Sequence, residues 1–288
     1  MTERSGFLAA LVIAAVGFTV FFARSLRRER PGWPGKLHLG IGFITDFLDT
    51  LGIGSFATTT SAYRLTKQVD DRLIPGTLNV GHALPTVAQA LIYITLIDVD
   101  VLTLASLVAA AVLGAWLGAA VVSRWSRRAV RVGMGLALSI AAVLMTASAL
   151  SLLPKGGEAL GLSGPRLAAG IAGNFALGAL MTAGIGLYAP CMVLVSLLGM
   201  GPATAFPIMM GSCAFLMPAA SVRFVREGSF DPRAALGLTL AGIPGVLVAA
   251  YIVRALPLGA LRWLVIAVVT YTAVTLLAAA RAERDAAA

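Results

Sequence analysis

Charge is what this sequence has least of. Asp, Glu, Lys and Arg make up 12% of its 288 residues, about half of the roughly 25% found in soluble domains. The 22 basic and 13 acidic side chains gather in short stretches such as Arg24–Arg30 and Arg124–Arg131. They cannot clothe a hydrated surface, and a soluble enzyme is excluded. Cysteine is nearly absent: Cys191 and Cys213, both inside apolar runs, exclude a disulfide scaffold. Histidine is equally scarce. His38 and His82, without a CxxC or a Cys/His cluster, imply no metal and no cofactor. Aromatics are 7% and none interleaves with a basic run, so the net charge of +9 does not indicate nucleic acid.

What is present is apolar sequence, 59% of the chain. A transmembrane helix needs about 20 such residues. Segments of this kind run near 6–22, 77–97, 101–123, 130–153, 203–224, 234–255 and 259–280. Two further stretches, about 37–65 and 167–200, are too long for one span. Each is interrupted by Gly-Ile-Gly, at Gly52-Ile53-Gly54 and Gly184-Ile185-Gly186, and paired glycines mark a helix break. The first segment lacks a small-residue cleavage site and is followed at once by Arg24, Arg27, Arg28 and Arg30. It reads as a membrane anchor with its N-terminus outside.

The basic residues decide how the two long stretches run. If each crosses once, 12 basic residues fall inside and 10 outside, which is no bias. If each folds back as a hairpin, 17 fall inside, and only Arg4, Lys155, Arg166, Arg254 and Arg262 remain outside. The second split is the one the positive-inside rule expects. The first half then starts inside and the second outside, each crossing three times, so their topologies are inverted.

The halves also match in sequence at an offset of 130–132 residues. Gly52-Ile53-Gly54 falls on Gly184-Ile185-Gly186, Val80-Gly81-His82-Ala83 near Met210-Gly211-Ser212-Cys213, Asp100 on Asp231, Gly114 on Gly245 and Arg131 on Arg262. Inverted repeats with interrupted helices are the architecture of secondary transporters, whose sites lie near the midplane at the repeat interface. A broken helix exposes N–H groups that lipid cannot satisfy, so the break must face protein, water or a solute. A half-helix starting after each Gly-Ile-Gly would aim its positive end at the centre, which favours an anion.

These features, Asp46…Gly52-Ile53-Gly54-Ser55 and Gly178…Gly184-Ile185-Gly186, each followed about 25 residues later by Gly81 or Gly211, resemble the TauE/SafE family of sulfite and organosulfonate exporters. Gly114-Ala115-Trp116-Leu117-Gly118 is similar to the family's small-residue helix. The resemblance covers about 37–280 and leaves the first helix as an addition. It departs from the family where relatives carry a run of several glycines. It implies a transporter of a small anion, sulfite or an organosulfonate, working by alternating access as one repeat rocks against the other.

Several residues near the breaks can serve such a site, and each also has a plain structural role. Gly54, Ser55, Thr58 and Thr59 follow the first break; their hydroxyls can donate to an anion, or Ser55 caps the helix while the threonines bond back to i−4 carbonyls. Asn79, Gly81 and His82 lie in an apolar segment where polar groups face a cavity or a neighbouring helix. Gly186, Tyr188 and Cys191 follow the second break, and Gly211, Ser212 and Cys213 match the 80s segment. Asp46 and Asp49 are candidates for carrying a coupling proton. Otherwise, Asp49 caps the turn before Gly52 and Asp46 pairs with Arg64 or Lys67.

The expected architecture is an all-α polytopic membrane protein of two inverted repeats. Each has a glycine-broken helical hairpin followed by three spanning helices, with one extra N-terminal helix. Its parts are 1–36 (anchor and basic loop), 37–153 (first repeat), 154–166 (extracytoplasmic linker) and 167–288 (second repeat and cytoplasmic tail). The expected setting is a bacterial-type inner membrane with the C-terminus inside. The expected partners are a small anion, membrane lipid, a coupling proton and a further copy of the chain. The alternatives are a transporter or channel for another small anion, such as thiosulfate or a short carboxylate, and an intramembrane enzyme drawing on Asp46, Asp49 and His82.

Overall fold

The structure, a computed structural model, describes residues 3–153, 156–184, 186–251 and 259–285. Among the described residues the chain is all-helical, with twelve α-helices and no strand, only an isolated bridge between Ala159 and Met200. Six helices are long and apolar enough to cross a membrane. They are α1 (Glu3–Glu29), α6 (Val101–Val122), α7 (Arg127–Ala149), α10 (Ala205–Arg226), α11 (Pro232–Tyr251) and α12 (Gly259–Asp285). The anchor therefore runs on through Arg24–Arg28 rather than stopping at 22.

Both glycine-broken stretches divide where the sequence says they should. The first becomes α2 (Lys36–Thr50) and α3 (Ser55–Thr66), with Gly52 at φ +88° and Gly54 at φ +85° between them. That left-handed backbone is open to glycine and strained for other residues. The second becomes α8 (Gly164–Met181) and α9 (Tyr188–Leu197), with Gly184 at φ +99°.

The expected single span over 77–97 is instead two helices, α4 (Ile74–Gly81) and α5 (Ala83–Leu96), meeting at His82. The cause is Pro85. It has no N–H to give the Gly81 carbonyl one turn back, and Thr239 of α11 donates to that oxygen from outside at 2.8 Å.

Glycine sets how closely the main helices approach. α2 lies along α11 and α8 along α6, while α7 pairs with α12. A Cβ on Gly114 of α6 would overlap the Phe175 carbonyl oxygen of α8, and one on Gly245 of α11 would overlap the Phe43 carbonyl oxygen of α2. Small residues here let backbones touch, which is how helices associate in lipid. Asp100 and Asp231 open α6 and α11 in the same way, each accepting a main-chain N–H three residues on, from Thr103 at 2.7 Å and Ala234 at 2.8 Å.

Charged residues sort to two ends. At one, Asp71 accepts from Arg64 at 2.6 Å and Arg131 at 2.7 Å, and Arg131 also meets Glu283. Arg127 pairs with Asp70, Arg124 with Glu227, and Arg233 donates to the Trp33 carbonyl. At the other end, Arg4 pairs with Asp98, and the main chain of Asp100 bonds to Leu160.

Candidate functional site

The two breaks meet. A cavity of about 30 Å³ is lined from the first by Gly54, Ser55 and Phe56 and from the second by Gly186 and Leu187. Asp49, Thr86, Met181, Met209, Met210, Cys213 and Met217 complete its wall. The approach is close enough that a Cβ on Gly186 would touch the Phe56 Cβ at 3.8 Å. Room of this size suits water-sized contents. Among the described residues its walls carry thioethers, two hydroxyls, a thiol and the Asp49 carboxylate, and no Lys, Arg or His. Attraction for an anion would come from main-chain dipoles: α3 starts at Ser55 and α9 at Tyr188, and first-turn N–H groups have no carbonyl within their own helix to bond.

Asp49 holds one of those donors. Its Oδ1 accepts the Ser55 N–H at 2.7 Å, and its Oδ2 accepts from Gln89 Nε2 at 3.0 Å. The same Nε2 donates to Thr50 Oγ1 at 2.9 Å, while Gln89 Oε1 is buried without a partner. Ser55 itself makes no side-chain cap; the cap position is Gly54. Asp49 thus caps the helix after the break from the helix before it, and its own carbonyl also accepts the Gly52 N–H at 2.9 Å.

Asp46, one turn earlier, has a different partner from the expected Arg64 or Lys67. Its carboxylate meets His82 Nδ1 at 2.8 and 3.0 Å, and His82 Nε2 lies 2.9 Å from Thr59 Oγ1. Arg64 binds Asp71 instead. An ionised Asp46 only accepts, which places a hydrogen on Nδ1 and leaves Nε2 to accept from Thr59. Gly242 of α11 makes the room: a Cβ there would overlap Asp46 Oδ2. The order carboxylate, imidazole, hydroxyl is that of a hydrolytic triad. However, all three side chains are fully buried and none lines the cavity.

The remaining candidates divide. Gly54, Ser55, Asp49, Gly186 and Cys213 reach the cavity. Thr58 does not; its hydroxyl bonds back to the Gly54 and Ser55 carbonyls, both at 2.9 Å. Asn79 donates to the Pro75 carbonyl at 2.8 Å within its own helix. Gly81 packs under Leu238, Gly211 lies against Ile94, Leu104 and Val108, and Cys191 is buried. Ser212 accepts from Asn174 Nδ2 at 2.9 Å, which also reaches the Leu107 carbonyl at 2.7 Å. The Tyr188 side chain lies outside the described residues.

Sequence reasoning missed Thr86, Gln89 and the four methionines. His82, Thr86 and Gln89 stand at i, i+4 and i+7 in an apolar helix, a polar stripe that was there to be read. A second, wider cavity of about 580 Å³ opens at the more heavily charged end, lined by Tyr63, Arg64, Lys67, Asp70, Asp71 and Arg127 among others. It lies at the far end of α3, the helix that starts at the central cavity.

Residues 3–145 match the family model described as Sulfite exporter TauE/SafE. The match takes in α1, so the first helix is part of the matched region and not an addition to it. No curated protein and no solved structure matches the chain. Proteins of the matched family are transporters and not enzymes, and six helices of membrane length agree with a multi-pass membrane protein.

Proposed function

We propose that the chain, whose residues 3–145 match the TauE/SafE family model, moves a small anion, sulfite or an organosulfonate, and binds it between the two Gly-Ile-Gly breaks. The observation that carries this reading is the cavity walled from both breaks at once. Ser55 and Phe56 of the first turn of α3 border it, as does Leu187, the residue that caps α9, and a site with no cation among its described residues holds an anion by such N–H groups while leaving it free to depart. Transport is by alternating access, and the cavity as it stands has room for water-sized contents.

The inverted-repeat reading has support in the packing. If α2 corresponds to α8, α6 to α11 and α7 to α12, then the α2–α11 and α6–α8 contacts are one interface used twice. Gly114 over Phe175 and Gly245 over Phe43 correspond at offsets of 131 and 132 residues. Asp46 against Gly242 corresponds to Gly178 against Ala111, the larger side chain present in only one half. The sorting of ion pairs to two ends agrees with hairpins that return to their starting side. The end with Arg64, Arg124, Arg127 and Arg131 is then cytoplasmic and the N-terminus outside, in a bacterial-type inner membrane.

The test is flux of labelled sulfite, methanesulfonate and thiosulfate into proteoliposomes. The expected result is saturable uptake, accelerated by unlabelled anion on the far side. Absence of saturable flux for all of them refutes transport, and flux without acceleration replaces the carrier with a channel.

A further inference from the structure

We propose that Asp49 carries a proton that the transported anion requires. The inference rests on the anion-transport reading above. An anion settling at the first break needs the donors at the start of α3, and the Ser55 N–H among them is already taken by Asp49 Oδ1 at 2.7 Å. Among the described residues Asp49 is also the one carboxylic acid in the cavity wall, with no cation there to offset it. An ionised Asp49 thus opposes the anion twice, by occupying a donor and by like charge. Protonation removes both effects: the neutral carboxyl is a weak acceptor for Ser55, and the charge is gone.

Gln89 is built for both states. Its Nε2 donates to Asp49 Oδ2 at 3.0 Å, as an ionised carboxylate needs. Its buried Oε1 has no partner, and turning the amide over would bring that oxygen to the place of Nε2, where a protonated Asp49 can donate to it. An orphaned acceptor in so closed a place is costly unless another state uses it.

Asp46 is not the carrier. Its carboxylate is engaged by His82, packs against Gly242 and does not line the cavity. The titratable groups that face Asp49 are Asp46 from its own helix, His82 at the α4–α5 junction, Tyr93 of α5 and Cys213 of α10. Of these only Cys213 shares the cavity. The balance is simple: one proton from solution joins the Asp49 carboxylate, one anion takes the freed donors, and the two cross together.

Isothermal titration of the full-length protein with sulfite, thiosulfate and methanesulfonate, in two buffers of different ionisation enthalpy, counts protons taken up per anion. At about pH 7.5, wild type should take up close to one proton more than Asp49→Asn, a difference that cancels the anion's own titration. Wild-type affinity for methanesulfonate should fall about tenfold per pH unit on the alkaline side, while that of the variant stays flat. Asn can still accept from Ser55 and can donate to Gln89 Oε1, so the fold should survive. Should it not, the methanesulfonate slope of wild type alone decides, because that anion keeps one charge. Equal proton counts, or a wild-type affinity for methanesulfonate that ignores pH, overturns the assignment to Asp49 while leaving anion transport intact. No binding of any of the three anions to either protein overturns both readings.

Discussion

Gly242→Ala tests whether the Asp46–His82–Thr59 chain is held as tightly as it looks. The residue sits on α11, far in sequence from all three. A Cβ there would overlap Asp46 Oδ2 and come within 2.7 Å of Pro85 Cγ. Proline in a helix junction cannot yield, so the carboxylate must withdraw by on the order of 1 Å to reach ordinary contact. Its bonds to His82, now 2.8 and 3.0 Å, would pass beyond hydrogen-bonding range. Losing a charge-assisted bond costs about 1.5–3 kcal/mol, and the buried charge left behind adds to that. The assay is equilibrium unfolding in detergent for wild type, Gly242→Ala, Asp46→Ala and the double variant. With Asp46 shortened to a methyl, alanine at 242 has nothing to displace but Pro85. The second substitution should then cost at least about 1.5 kcal/mol less in that background than in wild type. Additive losses, or a Gly242→Ala protein as stable as wild type, would refute the reasoning.

Other expectations follow from the same geometry. Thr59→Val leaves His82 Nε2 without its partner and should cost about 1–3 kcal/mol, whereas Thr58→Val, whose hydroxyl only returns to its own helix, should stay within about 0.5 kcal/mol; equal losses in detergent unfolding would contradict the placement. Gly178→Ala drives a methyl into the Ala111 carbonyl of α6 and should cost about 1–3 kcal/mol, while Gly17→Ala, with nothing within 4 Å, should cost nothing. Asp71, 8% exposed and shared by Arg64 and Arg131, should lose about 2 kcal/mol or more on change to Asn. Glu227→Gln, whose pair with Arg124 is largely exposed, should lose about 1 kcal/mol at most. The same unfolding curves rank the two, and the reverse order would count against the buried network.

Helix breaks were legible because glycine leaves a local mark. The helices stop beside Gly52, Gly54 and Gly184, as the pattern foretold, and all three glycines take positive φ. Pro85 left an equally local mark at the α4–α5 junction, yet an apolar run from 77 to 97 concealed it. The side-chain site was far less legible. Thr58 and Thr59 differ by one residue, but that step is about 100° of helical rotation, enough to send one hydroxyl to its own backbone and the other to His82. Which of Asp46 and Asp49 reaches the cavity depends on α11 and α5, brought alongside by tertiary packing that the spacing of two acids does not encode. Gln89 was overlooked although it shares a stripe with His82, and its role appears only through Asp49.

The bond that Pro85 forfeits has a mechanical consequence. Because Thr239 of α11 supplies the missing donor to Gly81, part of the continuity of α4–α5 is lodged in a different helix. α2 is fastened to the same pair, through His82 on one side and through Gly245 against Phe43 on the other. α8 is likewise clamped to α6 and, through Asn174, to α10. These bonds tie α2 to α4–α5 and α11, and α8 to α6 and α10, while α10 also packs on α4 and α5. Each group draws helices from both halves of the chain, so the tightest joints of the molecule cross the two sequence halves and do not divide them.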